Sequence, residues 1–195
     1  MEPALVLTSE GLAFLRVHKG GLALTVAKGA GFVIRKLEHD RHGNSRWSAP
    51  VFFTVSQFGL GLSVGFEAVE SCLVLKKQEA VDWFTKERES MGADLGTLTT
   101  DVASGIPAGA MGKTHGFDME LDKAEPTMCF SLAKGMLANL SFNGTDTCPD
   151  KDLNKKLYGD TPLVDVLAGK VPTFQEMMPL YDKIVETAKK ALKHP

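Results

Sequence analysis

"WSAPVFFTVSQFGLGLSVGF", residues 47–66, is the stretch on which the fold turns. Its twenty residues carry no charge, close to the length that crosses a bilayer as a helix. The internal pattern excludes that reading. Phe58, Leu60, Leu62, Val64 and Phe66 alternate with Gly59, Gly61, Ser63 and Gly65, a period of two that belongs to a strand with one apolar face. A glycine inside a helix costs about 1 kcal/mol relative to alanine. The stretch therefore reads as two strands, 51–57 and 58–69, bent or bulged near Gln57–Gly59.

The same rhythm extends in both directions. Short strands punctuated by glycine are expected at 12–17, 22–27, 31–38, 46–53 and 71–75, with "EHDRHGNSR" (38–46) as a polar turn. "KKQEAVDWFTKERE" (76–89) breaks the alternation and reads as a helix of two or three turns. Strands resume at 95–104 and 117–121, and 127–133 with 136–142 form a hairpin turning about Lys134–Gly135. The last third is helical in character. "PDKDLNKKLYG" and "TPLVDVLAG" are short helices closed by glycine. Phe174, Met177, Met178, Tyr181, Ile184, Val185, Ala188 and Leu192 follow at helical spacing, an amphipathic helix that caps the sheet. Glycines inside strands suggest bulges, tight bends or close backbone approach, so the expected sheet is strongly curled and barrel-like. The fold class is β-rich α+β.

Composition narrows the function classes. At 195 residues the chain suits one domain, placed at 3–185, with a basic helix end at 186–195. Its 22 Lys and Arg against 24 Asp and Glu leave a formal charge of -2, so no global basic field recruits nucleic acid. Three widely spaced cysteines without a CxxC pair argue against a disulfide framework or zinc site and fit the reducing cytoplasm. The N-terminus has no basic region ahead of its apolar residues, unlike a secretory signal.

Motifs for catalysis fail on spacing. "GIPAGAMGKTHG" (105–116) ends in Gly-Lys-Thr, but a phosphate-binding P-loop needs glycine five residues before Gly112, where Pro107 stands without an N–H. His39 and His42 sit in a polar turn without a third ligand nearby. No G-x-S-x-G occurs. Asp94, Asp101, Asp118 and Glu120 alternate along two expected strands, as acidic residues on a wet sheet face do. The expectation is a protein that is not an enzyme and needs no cofactor or metal. Basic residues recur beside glycines: Lys19 before Gly20, Lys28 before Gly29, Lys113 after Gly112 and Lys134 before Gly135. Glycine beside lysine lets a phosphate approach the backbone while the ammonium supplies charge.

Taken in order, these pieces resemble the SYLF domain. "PALVLTSEGLAFLRVHKGGLALTVAKGAGFVIRKL" is similar to that domain's opening, "RWSAP" (46–50) to its most recognisable short motif, and "FSLAKGMLANLSFNG" to its Ser-Lys-Gly hairpin. "GLGLSVGFEAVESCLVLKKQEAVDWF", "YGDTPLVDVLAGKVP" and "PLYDKI" resemble its later strands, helix and closing segments. The resemblance implies a phosphoinositide-binding module of actin-patch proteins, acting on phosphoinositide-containing membrane with an actin-linked role. The residues it points to are Lys19, Lys28, Arg35, Arg46, Lys113 and Lys134, as donors to headgroup phosphate. Members that carry a basic amphipathic helix hold it ahead of the Pro-Ala start, where this sequence has only Met1 and Glu2, so the expectation is that it acts without one. The competing expectation is a cytoskeletal or protein-interaction scaffold. Localisation is expected in the cytoplasm, at the membrane periphery or on the cytoskeleton.

Overall fold

A computed structural model describes residues 3–40, 42–86, 88–94 and 128–193. Its centre is a long antiparallel pair. Strand β1 (Gly11–His39) runs 29 residues and pairs with β3 (Val51–Leu75), from Gly11 opposite Leu75 to Val33 opposite Val51. On its other side β3 pairs with β5 (Met128–Pro149), from Phe53 opposite Pro149 to Val74 opposite Met128. Two shorter strands complete the order β2-β1-β3-β5-β4: β2 (Ser45–Trp47) on the end of β1, and β4 (Arg88–Asp94) on β5. The uncharged stretch at 51–66 thus lies in the central strand, hydrogen-bonded on both sides.

Several expected breaks are not breaks. The segments 12–17, 22–27 and 31–38 are one continuous strand, and so are 51–57, 58–69 and 71–75. The one irregularity in this pairing falls where Leu22 faces Val64 and Leu24 faces Leu60, near Gly61–Ser63 rather than Gln57–Gly59. Lys134–Gly135 is not a turn: Lys134 pairs with Ala68 and Gly135 with Glu67 inside β5. Distant strands supply hydrogen bonds to these residues, and such pairing overrides a local preference for turns. The helix expected at 76–89 is shorter, α2 (Gln78–Asp82) followed by a 3-10 turn at Trp83–Thr85, after which the chain enters β4. The expected strands at 95–104 and 117–121 lie outside the described residues.

The α+β class with an antiparallel sheet and a C-terminal helix is as expected, but the sheet is open. Its outer strands β2 and β4 do not pair with each other, so the expected barrel-like closure is not formed among the described residues. Of the expected uses of strand glycine, close backbone approach is the one seen at Gly29 and Gly31. A Cβ on Gly29 would lie 2.6 Å from the Arg16 carbonyl oxygen, and one on Gly31 would strike the carbonyl of Phe14. Residues 29–31 of β1 therefore press against residues 14–17 of the same strand at a distance that only glycine allows.

Both faces of the sheet are covered near its ends. Ala13, Val33, Leu73 and Leu75 belong to one buried cluster, and their neighbours Leu12, Ile34 and Val74 belong to another, as alternation across a strand requires. The first cluster is closed by α2 and by two helices after the sheet, α3 (Lys151–Tyr158) and α4 (Leu163–Leu167). The second is closed by α1 (Pro3–Thr8) and by α5 (Met178–Lys193), the amphipathic helix expected from the sequence, which presents Tyr181, Ile184 and Ala188.

Polar groups set how α3 docks. Asp150 caps its first turn, accepting from the Leu153 N–H at 3.0 Å, and Gly159 ends it at φ +62°. Asn154, 3% exposed, extends the ladder sideways: its carbonyl accepts from the Phe52 N–H at 3.0 Å and its amide donates to the Phe52 carbonyl at 2.7 Å. Replacing it strands a part-buried N–H of the central strand. We expect Asn154→Ala to lower the unfolding free energy by about 2 kcal/mol, read from the urea midpoint, while exposed Lys156→Ala stays within about 0.5 kcal/mol.

Candidate functional site

The hairpin of β1 and β2 and the loop after it gather the largest share of the expected motif residues. Trp47, Ser48 and Ala49 are all buried. The Ser48 hydroxyl accepts from the Arg35 N–H at 2.9 Å and donates to the Ala49 carbonyl at 2.9 Å, while the Ser48 N–H donates to the Arg35 carbonyl at 2.9 Å. Two helices reach the same loop. Tyr181 of α5 donates its hydroxyl to the Ser48 carbonyl at 2.6 Å, and Tyr158 of α3 donates to the Pro50 carbonyl. Burial pushes both phenols above their ordinary range, so they remain neutral donors. The "RWSAP" motif is therefore a clasp that ties helices on both faces to one sheet end. Its chemistry is structural.

The five described residues of the expected phosphate site fall in three places. Lys19 and Lys134 sit on either side of β3, opposite the adjacent positions Glu67 and Ala68. Lys28 stands apart, exposed, opposite Ser56. Arg35 and Arg46 share the β1–β2 hairpin, and each holds a carboxylate. Arg35 is mostly buried and pairs with Asp82 of α2, with its Nε unpartnered. Arg46 is exposed and donates to Glu38 at 2.7 Å; that hydrogen bond and charge hold the Glu38 carboxyl below the usual range. Lys113 lies outside the described residues.

Elsewhere on the surface, the turn that carries His39 and His42 is organised by Asp40. Its carboxylate accepts from the His42 N–H, the Asn44 N–H and the Asn44 amide at 2.7–2.9 Å. Among the described residues no group of three His, Cys, Asp or Glu is placed to hold a metal ion, and no helix is long and apolar enough to cross a membrane. On α5, Glu186 is held by Lys183 at 2.7 Å and Lys190 at 3.0 Å, which bring its carboxyl down to about 2. Those lysines neutralise a carboxylate on their own helix.

One basic residue with a defined role was not singled out from the sequence. Lys36 donates from Nζ to the carbonyls of Val6 and Leu7 at 2.8 and 3.0 Å, closing the end of α1, and lies 5.5 Å from the Trp47 ring centroid. Burial lowers its amine from the ordinary lysine value to about 8, with Glu10 pulling the other way. The available signal was alternation: position 36 follows Phe32 and Ile34 on the face that packs against α1 and α5.

Comparison with known proteins bears on residues well beyond this hairpin. A family described as "Ysc84: Las17-binding protein actin regulator" matches residues 56–187. The chain is similar to the SH3 domain-containing YSC84-like protein 1 of Xenopus laevis, 26% identical over 92% of this chain and 50% of that protein. The human protein of the same name is 27% identical over 89% of this chain and 47% of its own length. LAS seventeen-binding protein 3 of Saccharomyces cerevisiae is 24% identical over 92% of this chain and 37% of its length. The chain thus spans about half or less of the relatives it matches. No solved structure matches.

The Lys36 geometry generates a pH dependence. Its folded value lies below the unfolded one, so the folded protein releases this proton first and stability rises as pH climbs from about 8 toward 10.5. Because solvent still reaches the group, we expect the gain to be about 1 kcal/mol rather than the full linkage value. Urea unfolding of the wild type and Lys36→Met in parallel at pH 7.5, 9 and 10 should show this slope only in the wild type; the same slope in both would assign it to other groups.

Proposed function

Because this chain belongs to the Ysc84 (SYLF) family, we propose that it is a non-catalytic binding module that works in actin regulation, in the cytoplasm. The carrying observation is the match of residues 56–187 to a family of Las17-binding actin regulators. A relative named for binding LAS seventeen supports placing a protein of the actin patch among its partners. The finer reading is contact with anionic, phosphoinositide-containing membrane. The cation best placed for it is Lys28, which is exposed; Lys19 and Lys134 are opposite the consecutive β3 positions Glu67 and Ala68, which alternation assigns to opposite faces of the sheet. Lys113 joins them on the sequence reading alone.

Energetics set the strength of such a contact. A basic residue near an anionic surface contributes on the order of 1 kcal/mol, so three or four give weak, salt-sensitive attachment. Arg35 and Arg46 contribute least, since Asp82 and Glu38 already satisfy them. That neutralisation favours the second reading, a scaffold that docks onto an actin-linked assembly through protein contacts.

Co-sedimentation separates the two. We expect the protein to pellet with actin filaments, and to pellet with phosphoinositide vesicles at low salt but not at high salt. The triple variant Lys19→Gln, Lys28→Gln, Lys134→Gln should lose vesicle binding and keep filament binding. Absence of vesicle binding at low salt sinks the membrane reading, and absence of filament binding as well removes the actin-linked one.

A further inference from the structure

Where residues 29–31 of β1 press against residues 14–17, a pocket of about 300 Å3 opens beside them. That volume is at the lower end of small-molecule sites. Its apolar part is made by Phe14 and Phe32, whose rings stack at 5.3 Å, together with Ala30 and Gly31. Its polar part is made by Arg16 and Glu70. Neither aromatic ring is fully covered.

The charged pair is loosely made. Arg16 Nε and the Glu70 carboxylate are 3.7 Å apart, beyond a normal hydrogen bond, and the two side chains are 63% and 50% exposed. Pairs so placed contribute little and exchange partners readily. A second exposed cation, Lys28, lies two residues before Ala30, on the same side of the strand by alternation. The pocket therefore joins an apolar cleft to one lining cation, Arg16, whose carboxylate partner stands at long range, with Lys28 just beyond the lining on the same side of the strand. A purely polar anion leaves the rings in water. A purely apolar molecule leaves the guanidinium without a better acceptor than Glu70. Both demands are met by a molecule with an anionic head and a short apolar tail.

We propose that this pocket binds a small amphiphile, its tail between Phe14, Phe32 and Ala30 and its phosphate or carboxylate head on Arg16 in place of Glu70, with Lys28 adding a second charge. The occupant is a single molecule inserted into the fold rather than a charged membrane surface. The site is separate from the β1–β2 hairpin, shares only Lys28 with the membrane reading and does not depend on it. Gly31 keeps the two parts of β1 in contact beside the pocket, because a Cβ at that position would strike the Phe14 carbonyl.

Three probes titrated calorimetrically into the full chain, below micelle-forming concentrations, test the assignment. Octyl phosphate has both parts, octyl glucoside the tail with a neutral head, and inorganic phosphate the head alone. Octyl phosphate should bind roughly tenfold tighter than either of the others, the effect of one charge-assisted contact. Arg16→Gln should bring octyl phosphate down to the octyl glucoside level, and Glu70→Gln, by removing the competing carboxylate, should raise its affinity several-fold. Lys183→Gln, the same charge change on α5, should leave it unchanged. Ala30→Leu should block both alkyl probes; if that variant unfolds in a thermal melt, the Arg16 and Glu70 variants decide alone. Equal affinity for octyl phosphate and octyl glucoside, equal losses in Arg16→Gln and Lys183→Gln, or no saturable binding of octyl phosphate would overturn the proposal.

Discussion

The register between β1 and β3 is the constraint on which everything else rests. Side chains alternate strictly along a strand, so Leu12, Ile34 and Val74 go to one face while Ala13, Val33 and Leu73 go to the other. A slip of one residue would exchange every one of them. With large apolar residues on both faces, the sheet end cannot rest against water on either side. Helices must cover it twice, and the chain supplies α1 and α5 for one face and α2, α3 and α4 for the other.

Covering both faces creates a polar problem at the place where the chain passes from β2 to β3. Ser48, Ala49 and Pro50 are buried there without a strand partner of their own, and a buried carbonyl left unpaired is costly. Tyr181 and Tyr158 resolve it from opposite sides, and Asn154 does the same for Phe52. The hydrogen bonds that satisfy the loop are the same ones that orient the helices, so the packing of the two layers is coupled through five residues of backbone.

This architecture also divides the basic residues by task. Lys36 and Arg35 are drawn inward, one to the carbonyl end of α1 and the other to Asp82 of α2. Arg46, Lys183 and Lys190 are matched by nearby carboxylates. Positive charge with room for an external anion is found along β1, at Arg16 and Lys28, where the sheet face carries exposed side chains. On the proposed reading, ligand chemistry and fold maintenance use different cations, a division that residue type alone does not show.

Much of the fold was legible because its signals are local. The alternation in "FGLGLSVGF" identifies a strand whatever its neighbours, and the spacing from Phe174 to Leu192 identifies the closing helix. "PDKDLNKKLYG" carries its own cap and its own terminal glycine. Other features are decided between residues far apart in the chain. Lys134–Gly135 has the composition of a turn, yet Ala68 and Glu67 hold it straight. Gly29 reads as a loop-edge glycine beside Lys28, yet it lies inside β1, where it and Gly31 are approached by Arg16 and Phe14. Arg35 reads as a donor for phosphate until Asp82 is seen beside it. The sequence by itself determined the long alternating segments, the helices after the sheet and which positions are apolar, because these follow from periods of two and of 3.6, but it did not mark α1 (Pro3–Thr8) or the strand that starts at Arg88. Only the tertiary structure decided where strands end, which glycines are approached and which cations are already neutralised, because each depends on a partner that no local pattern identifies.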